Sequence, residues 1–298
     1  MGTLYLVATP IGNLEDISLR ALRILKEVKL IAAEDTRRTR KLLSHYNIHT
    51  PLMSFYEPRQ KEKIPYLLSI LQEGDVALVS DAGTPVINDP GYELVCAALA
   101  EQFPVSPIPG PCAPIAALIV SGLAADSFLY LGYLPRRTSL RTQFLQEVAR
   151  LPYTLVFLET PQRLISSLKT MQEVLGNRRI TIAREMTKLH EEFFYGTLEE
   201  ARAHYTEETA RGEFTLVVAG SNQLLYSEAL AEEKQNDQVW SSEKVLTALQ
   251  NLSLQGLTLS QAAKQLASSS GWARKDIYRL ASADRKNQED FEVKNESG

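Results

Sequence analysis

The chain has 298 residues, 44% of them hydrophobic, and a formal charge of −4 with an isoelectric point near 5.7. That length suggests two domains or more, and the apolar share is ample for real cores, which excludes a disordered chain. The acidic balance argues against a protein that coats nucleic acid non-specifically, while leaving room for a local basic patch.

Residues 4–8, LYLVA, read as a first strand that ends in TPIGN, after which Ile17, Leu19, Leu22, Leu25 and Val28 recur at mostly helical intervals. LIAAED (30–35) reads as a strand running into a charged loop or helix start. IPYLLSILQEG (64–74) is a predicted helix with a glycine stop, VALVS (76–80) a buried strand and YELVCAALAEQ (92–102) a helix. VSPIPG (105–110) is a short strand entering a Pro/Gly turn, and APIAALIVSG follows as a helix. This alternation predicts an α/β protein with a mostly parallel sheet covered on both faces. After Leu123 the pattern restarts. Strands are expected at 128–135, 154–159, 179–185 and 213–220, with helices between them. Beyond a polar, acidic stretch come three short helices with breaks near Gly256 and Gly271; their order fits either a helix-turn-helix module or an ordinary helical bundle. The expected organisation is an α/β domain at 1–123, a second at 124–222, a linker at 223–238, a helical domain at 239–284 and a loose, charged tail at 285–298.

Cys96 and Cys112 belong to no CxxC pair or Cys/His cluster, which fits a reduced compartment and argues against a disulfide scaffold or structural zinc site. The N-terminus has no basic stretch of a signal peptide, and no apolar run reaches membrane-spanning length. A cytoplasmic protein without a membrane partner is expected.

Four loops sit at predicted carboxyl ends of strands: TPIGN (9–13), EDTRRTR (34–40), SDAGTPVINDPG (80–91) and PGPCA (109–113). In an open parallel sheet, ligands bind in the crevice at that end. Gly12, Gly83 and Gly110 would let backbone approach a ligand, and Pro10, Pro85 and Pro111 would stiffen the loops. Each loop alone reads as a tight turn; together they favour a ligand. There is no GxGxxG opening a helix and no GxxxxGK[ST], and three of the loops lack positive side chains, so a cofactor read by backbone and shape is expected in place of a phosphate-rich one.

TPIGNLEDISLRALRIL, AEDTRRTRKLL, ALVSDAGTPVINDPG, PIPGPCA, LVFLETPQRL and REMTKLHEE occur in this order, and the set resembles the tetrapyrrole-methylase superfamily over about residues 3–222. Within it the motifs are most similar to members that methylate a cytidine ribose 2′-oxygen of small-subunit (16S) ribosomal RNA. The resemblance implies S-adenosylmethionine held between two α/β domains, no metal, and a homodimer. It implies a cofactor site of Pro10, Gly12, Ala82, Gly83, Thr84, Ile87, Cys112 and Ala113, closed from the second domain by Glu159, Met186 and Thr187. EPRQKEK (57–63) and ETPQR (159–163) depart from the pattern, which has His-Asn and Ser-Pro-His there, so RNA contacts at those positions do not carry over.

A ribose hydroxyl is a very weak acid and benefits from a base. Asp35 aligns with a proposed proton acceptor in porphyrin-methylating relatives, and Glu34 lies beside it. Asp35 could equally cap the following helix. Glu185, Lys188, Glu191 and Glu192 in REMTKLHEE form a second candidate cluster, with Glu185 and Lys188 as its catalytic candidates, and His190 reads as a surface residue. Arg37, Arg38 and Arg40, with Arg136 and Arg137, are candidate RNA contacts or simply solvated helix flanks. An RNA methyltransferase leads; a methylase of a tetrapyrrole precursor and a non-catalytic RNA-binding assembly factor are the rivals.

Overall fold

A computed structural model describes residues 1–56, 60–221 and 240–295, with side chains to residue 284. The chain divides into two compact units, Met1–Gln223 and Leu224–Gly298. The first contains two five-stranded sheets.

The first sheet is formed by β1 (Leu4–Val7), β2 (Leu30–Ala33), β3 (Leu52–Ser54), β4 (Val76–Val79) and β5 (Val105–Ile108) in the order β3-β2-β4-β1-β5, with every pairing parallel. Strands β2 and β4 are buried at every residue, as expected where both faces carry helices. Side chains alternate between faces with a period of two. Ile31, Ala33, Ala77 and Val79 therefore pack on one core with Ala21, Ile24 and Leu25 of α1 (Leu19–Glu27) and Leu42 and Leu43 of α2 (Thr36–His45). Leu30, Ala32, Val76 and Leu78 face the other core, with Leu67 and Leu71 of α3 (Gln60–Glu73) and Leu94 and Ala98 of α4 (Tyr92–Ala100). All five carboxyl ends point the same way. The four marked loops leave β2, β4, β1 and β5, which are consecutive neighbours in the sheet.

The second sheet contains β6 (Phe128–Tyr133), β7 (Thr154–Glu159), β8 (Arg179–Arg184), β9 (Glu192–Thr197) and β10 (Phe214–Val218) in the order β6-β7-β10-β8-β9. Only β6 and β7 pair in parallel; β10 runs antiparallel to both neighbours, and β8 and β9 are antiparallel. One face buries Leu155, Phe157, Ile180, Ile182 and Leu216 under α6 (Thr138–Val148), α7 (Pro161–Leu175) and α8 (Leu198–His204). Val156, Ala183 and Val217 on the opposite face pack on Ala117 and Leu118 of α5 (Ala113–Ile119), the helix that leaves the first sheet after β5. That shared helix makes the two sheets one unit, and the expected boundary at 123/124 falls at their junction.

Two strands escape the sequence reading. β3 is three residues at a sheet edge, too short for a periodic signal. β9 hides beside the charged REMTKLHEE, and its strand character comes from pairing along β8.

In the second unit, α9 (Ser242–Leu254), α10 (Leu259–Ala267) and α11 (Arg274–Asn295) bury Val245, Leu249, Ala262, Leu266 and Ile277 together. A capping box of Thr258 and Gln261 starts α10. α11 continues to Asn295, beyond residue 285 where a loose tail is expected; RKNQEDFEVKN consists mostly of good helix formers and has no Gly or Pro. The expected linker lies outside the described residues. Among the described residues no helix is long and apolar enough to cross a membrane.

Candidate active site

The loops at the carboxyl end of the first sheet are fastened to one another. Thr9 and Gly83 exchange backbone hydrogen bonds, each 2.9 Å, joining the loop after β1 to the loop after β4. Thr84 Oγ1 donates to Pro111 O at 3.1 Å, adding the loop after β5. Asp35 N donates to Asp81 Oδ1 at 2.9 Å and Asp81 N donates to Glu34 Oε2 at 3.1 Å, adding the loop after β2. Four loops are thus held in one arrangement with few side chains spent on it. The loop after β4 is also strained: Val86 (φ 74°) and Asn88 (φ 63°) occupy the left-handed region, as does Gly83 (φ 80°). A β-branched residue there is a true outlier, and such strain concentrates at functional sites.

These loops form one wall of a cavity of about 350 Å³ between the two sheets. Ile11, Glu34, Arg38 and the stretch from Asp81 to Thr84 face it, with Ile87, Asn88 and Asp89, and Cys112 and Ala113 at the start of α5. The opposite wall comes from the second sheet. Its antiparallel pairing sets Phe214 of β10 opposite Glu159 at the end of β7 and Arg184 at the end of β8. That register brings Glu159, Phe214 and Met186 to one rim, and Tyr130 and Tyr133 of β6 complete it.

The electrostatics are uneven. Glu34, Asp81 and Asp89 face the cavity. Burial pushes the Asp89 carboxyl up to about 6, opposed by a hydrogen bond from Ser80 and reinforced by the charges of Glu34 and Asp81. Burial also raises Glu34. Arg38 Nη1 lies 3.3 Å from Asp81 Oδ2. On the second wall the Tyr130 hydroxyl is buried and has no hydrogen-bond partner among the described residues; burial, then the charges of Tyr133, Cys112 and Asp89, pushes its proton affinity up to about 12. A buried polar group without a partner calls for an explanation, and a missing ligand is one. Glu159 is fully buried and already engaged, accepting from Thr160 N at 2.8 Å and Ser167 Oγ at 2.5 Å beside Arg163.

The structure brings together on this cavity Glu34, Arg38, Ala82, Gly83, Thr84, Ile87, Cys112, Ala113, Glu159 and Met186 of the residues singled out from sequence. Others lie elsewhere. Pro10 lines a smaller neighbouring cavity. Gly12 meets the loop of residues 186–188, where a Cβ would stand 2.6 Å from both Thr187 Oγ1 and Lys188 Cγ, and Asn13 N donates to Thr187 Oγ1 at 3.0 Å. Gly12 and Thr187 therefore join the two halves and do not face the cavity. Glu185 Oε1 accepts from Lys188 Nζ at 2.8 Å and from Glu213 N at 2.9 Å, and Lys188 also pairs with Glu213, so this cluster is a closed ionic latch. Arg136 and Arg137 are exposed at the start of α6 and line neither cavity.

Asp35 departs most from expectation. It is the N-cap of α2, accepting from Arg37 N at 2.8 Å, and Arg37 grips both its oxygens through Nε at 3.0 Å and Nη2 at 2.7 Å. The Arg37 guanidinium holds this carboxyl well below the usual carboxylate range, and Asp35 does not line the cavity. A weakly basic, occupied carboxylate suits a cap, not a proton acceptor. Arg37 is engaged by the same pair, and Arg40 is exposed on α2. Sequence reasoning missed Asp81, Asp89 and Tyr130. The NDPG turn offered a signal for Asp89, but its burial depends on residues from other strands.

Residues 3–202 match the family of tetrapyrrole (corrin/porphyrin) methylases. The ribosomal RNA small subunit methyltransferase I of Halalkalibacterium halodurans is 46% identical over 280 residues, covering 94% of each chain. The protein of the same name from Synechocystis is 47% identical over 94% of this chain and 98% of that one, and the Bacillus subtilis protein 40% identical over 93% of each. Among solved structures, diphthine synthase aligns with a TM-score of 0.59 at 13% identity, over 78% of this chain and 95% of that one. A Thermus thermophilus uroporphyrin-III C-methyltransferase complexed with S-adenosyl homocysteine aligns at 0.51 and 23% identity, over 72% and 97%. These last likenesses concern the fold. On these matches the chain belongs to the tetrapyrrole methylase family, within its ribosomal RNA small subunit methyltransferase I branch.

Proposed function

We propose that the protein methylates the 2′-hydroxyl of a cytidine ribose in small-subunit ribosomal RNA, with S-adenosylmethionine as methyl donor. The observation that carries this reading is the cavity between the sheets, where Glu34, Asp81, Asp89, Glu159 and Glu213 stand among aromatic and apolar side chains. Its size falls within the usual range of about 300–1,000 Å³ for small-ligand sites. The residues present fit the donor: the orphan Tyr130 hydroxyl offers a hydrogen bond, and Gly83 and Cys112 bring backbone to the cavity wall. Once bound, the donor supplies an electrophilic methyl on a sulfonium.

The chain's own residues do the rest. Ile87, Met186 and Phe214 exclude water, and the acids of the first wall favour a cationic ligand. Asp89 takes the place expected of Asp35. It lines the cavity, and a carboxylate with a proton affinity near 6 is better matched to accept the ribose proton at neutral pH than one held low by an arginine. On the same reading the enzyme is cytoplasmic and, as the family resemblance implies, a homodimer, with the assembled small subunit as its substrate.

The test is transfer from labelled S-adenosylmethionine to unmethylated small subunits, free 16S RNA and uroporphyrinogen, side by side, followed by nuclease digestion. Label in 2′-O-methylcytidine is the expected result. Label in the porphyrinogen favours the small-molecule rival, and donor-independent RNA binding without transfer favours an assembly factor.

A further inference from the structure

Beside the main cavity lies a second of about 160 Å³. Thr9, Pro10, Leu14 and Ser80 line it, and Arg38 and Lys41 of α2 bring positive charge to it. The two cavities have Arg38 and Asp81 in common, so the partition between them is one ion pair, 3.3 Å across. Arg38 and Lys41 are three residues apart on the helix and share a face. The Arg38 side chain is 67% exposed, and Lys41 makes no ion pair with any described residue. Among the described residues, none forms an ion pair that takes up the charge that Lys41 adds.

We propose that this second cavity is the seat of the target nucleotide, with its sugar turned toward the Arg38–Asp81 partition and its backbone phosphate on Lys41 and Arg38. The proposal rests on the function given above. An acceptor oxygen must reach the donor through a shared wall, and this cavity shares Arg38 and Asp81 with the main one. The 2′-oxygen lies only a few bonds from the 3′-phosphate of the same nucleotide, so a ribose at the partition places a phosphate close to it. Positive side chains are the expected partners of that phosphate. The volume is well below the roughly 300 Å³ at the lower end of small-molecule sites, which suits a ribose phosphate and is too small for a tetrapyrrole macrocycle. The apolar faces of Pro10 and Leu14 give the sugar and base edge a surface to rest on. A nucleotide in this seat must be unstacked from its neighbours, as single-stranded loops in RNA allow.

The experiment uses the full chain, unmethylated small subunits and S-adenosylhomocysteine as cofactor probe. Lys41→Gln should raise the KM for subunits about tenfold. It should also reduce the log–log salt slope of subunit binding by about one, as loss of one phosphate contact requires. Leu14→Trp, which fills the cavity, should raise the same KM without the change in salt slope. Calorimetric affinity for S-adenosylhomocysteine should stay unchanged in both. An unaltered salt slope in Lys41→Gln, or wild-type KM in a folded Leu14→Trp, overturns the assignment, as does weakened S-adenosylhomocysteine binding, which would make this cavity part of the cofactor site. If the wild-type protein transfers no label to ribosomal RNA, the proposed function itself has failed; if it does and both variants match it, only this seat has.

Discussion

The two sheets of the first unit solve one problem by opposite means. The first is all parallel, so four neighbouring strands deliver four loops to one edge, and those loops carry the acids, the strained backbone and the helix-borne cations. The second is mixed. Its β10 runs against β7 and β8, so the start of one strand and the ends of two others meet at Phe214, Glu159 and Arg184, the first two of which line the cavity. A parallel sheet concentrates chemistry at an edge because all its carboxyl ends coincide. A mixed sheet contributes only those ends that its register happens to align. We conclude that the first sheet supplies main chain and three of the cavity's acids, and the second supplies its aromatic side chains together with Glu159 and Glu213.

The contrast can be broken most sharply at Asp89. Asp89→Asn should slow methylation by roughly two to four orders of magnitude under single-turnover conditions. The wild-type rate should rise as pH passes about 6, and the variant should lack that limb. The stability effect has the opposite sign. Because the folded-state proton affinity is raised, the protonated carboxyl favours the fold, and that contribution fades as pH climbs from 3.8 through about 6. At pH 8 the variant is therefore expected to melt no lower than wild type. A full rate in the variant would return the chemistry to Glu34 or to orientation alone.

The seam between the sheets is tested at Gly12. Gly12→Val places a side chain into Thr187 and Lys188, and should cost about 1–3 kcal/mol in urea unfolding, as overpacking does. If stability is unchanged, the 186–188 loop is not fastened as described.

The second wall is tested at Tyr130. Tyr130→Phe removes an orphan buried hydroxyl, so the free protein should be at least as stable, while S-adenosylhomocysteine binds roughly fivefold more weakly, about 1 kcal/mol for one lost hydrogen bond. Unchanged calorimetric affinity would separate Tyr130 from the cofactor. The smallest effect is expected from Asp35→Asn. Asparagine is also a good helix cap, so the melting temperature should shift little and the methylation rate should hold. A hundredfold loss of rate there would reverse the roles given to Asp35 and Asp89.

The sequence by itself determined the elements whose signals are local. The alternation of short apolar runs with helical spacing marks the parallel first sheet, and dense glycine and proline mark the loops at its edge. Those features depend on turn chemistry and on periods of 2 and 3.6 residues, which neighbours in the chain decide. The motif set was likewise legible, because it is a string of short stretches in order. Only the tertiary structure decided what each residue in those loops does. Gly12 looked like a ligand-approach glycine, but its close neighbours are residues 186–188, more than 170 positions away. Asp35 and Asp89 are both acids in loops after strands. One meets an arginine two residues on; the other is half-buried, with Asp81 of its own loop and Glu34 of the loop after β2 close by. The antiparallel seating of β10, which builds the second wall, follows from pairing over 30 and 55 residues at Phe214 and leaves no local mark. Burial, proton affinity and strand order are properties of which distant residues meet, and local sequence signals do not reveal that.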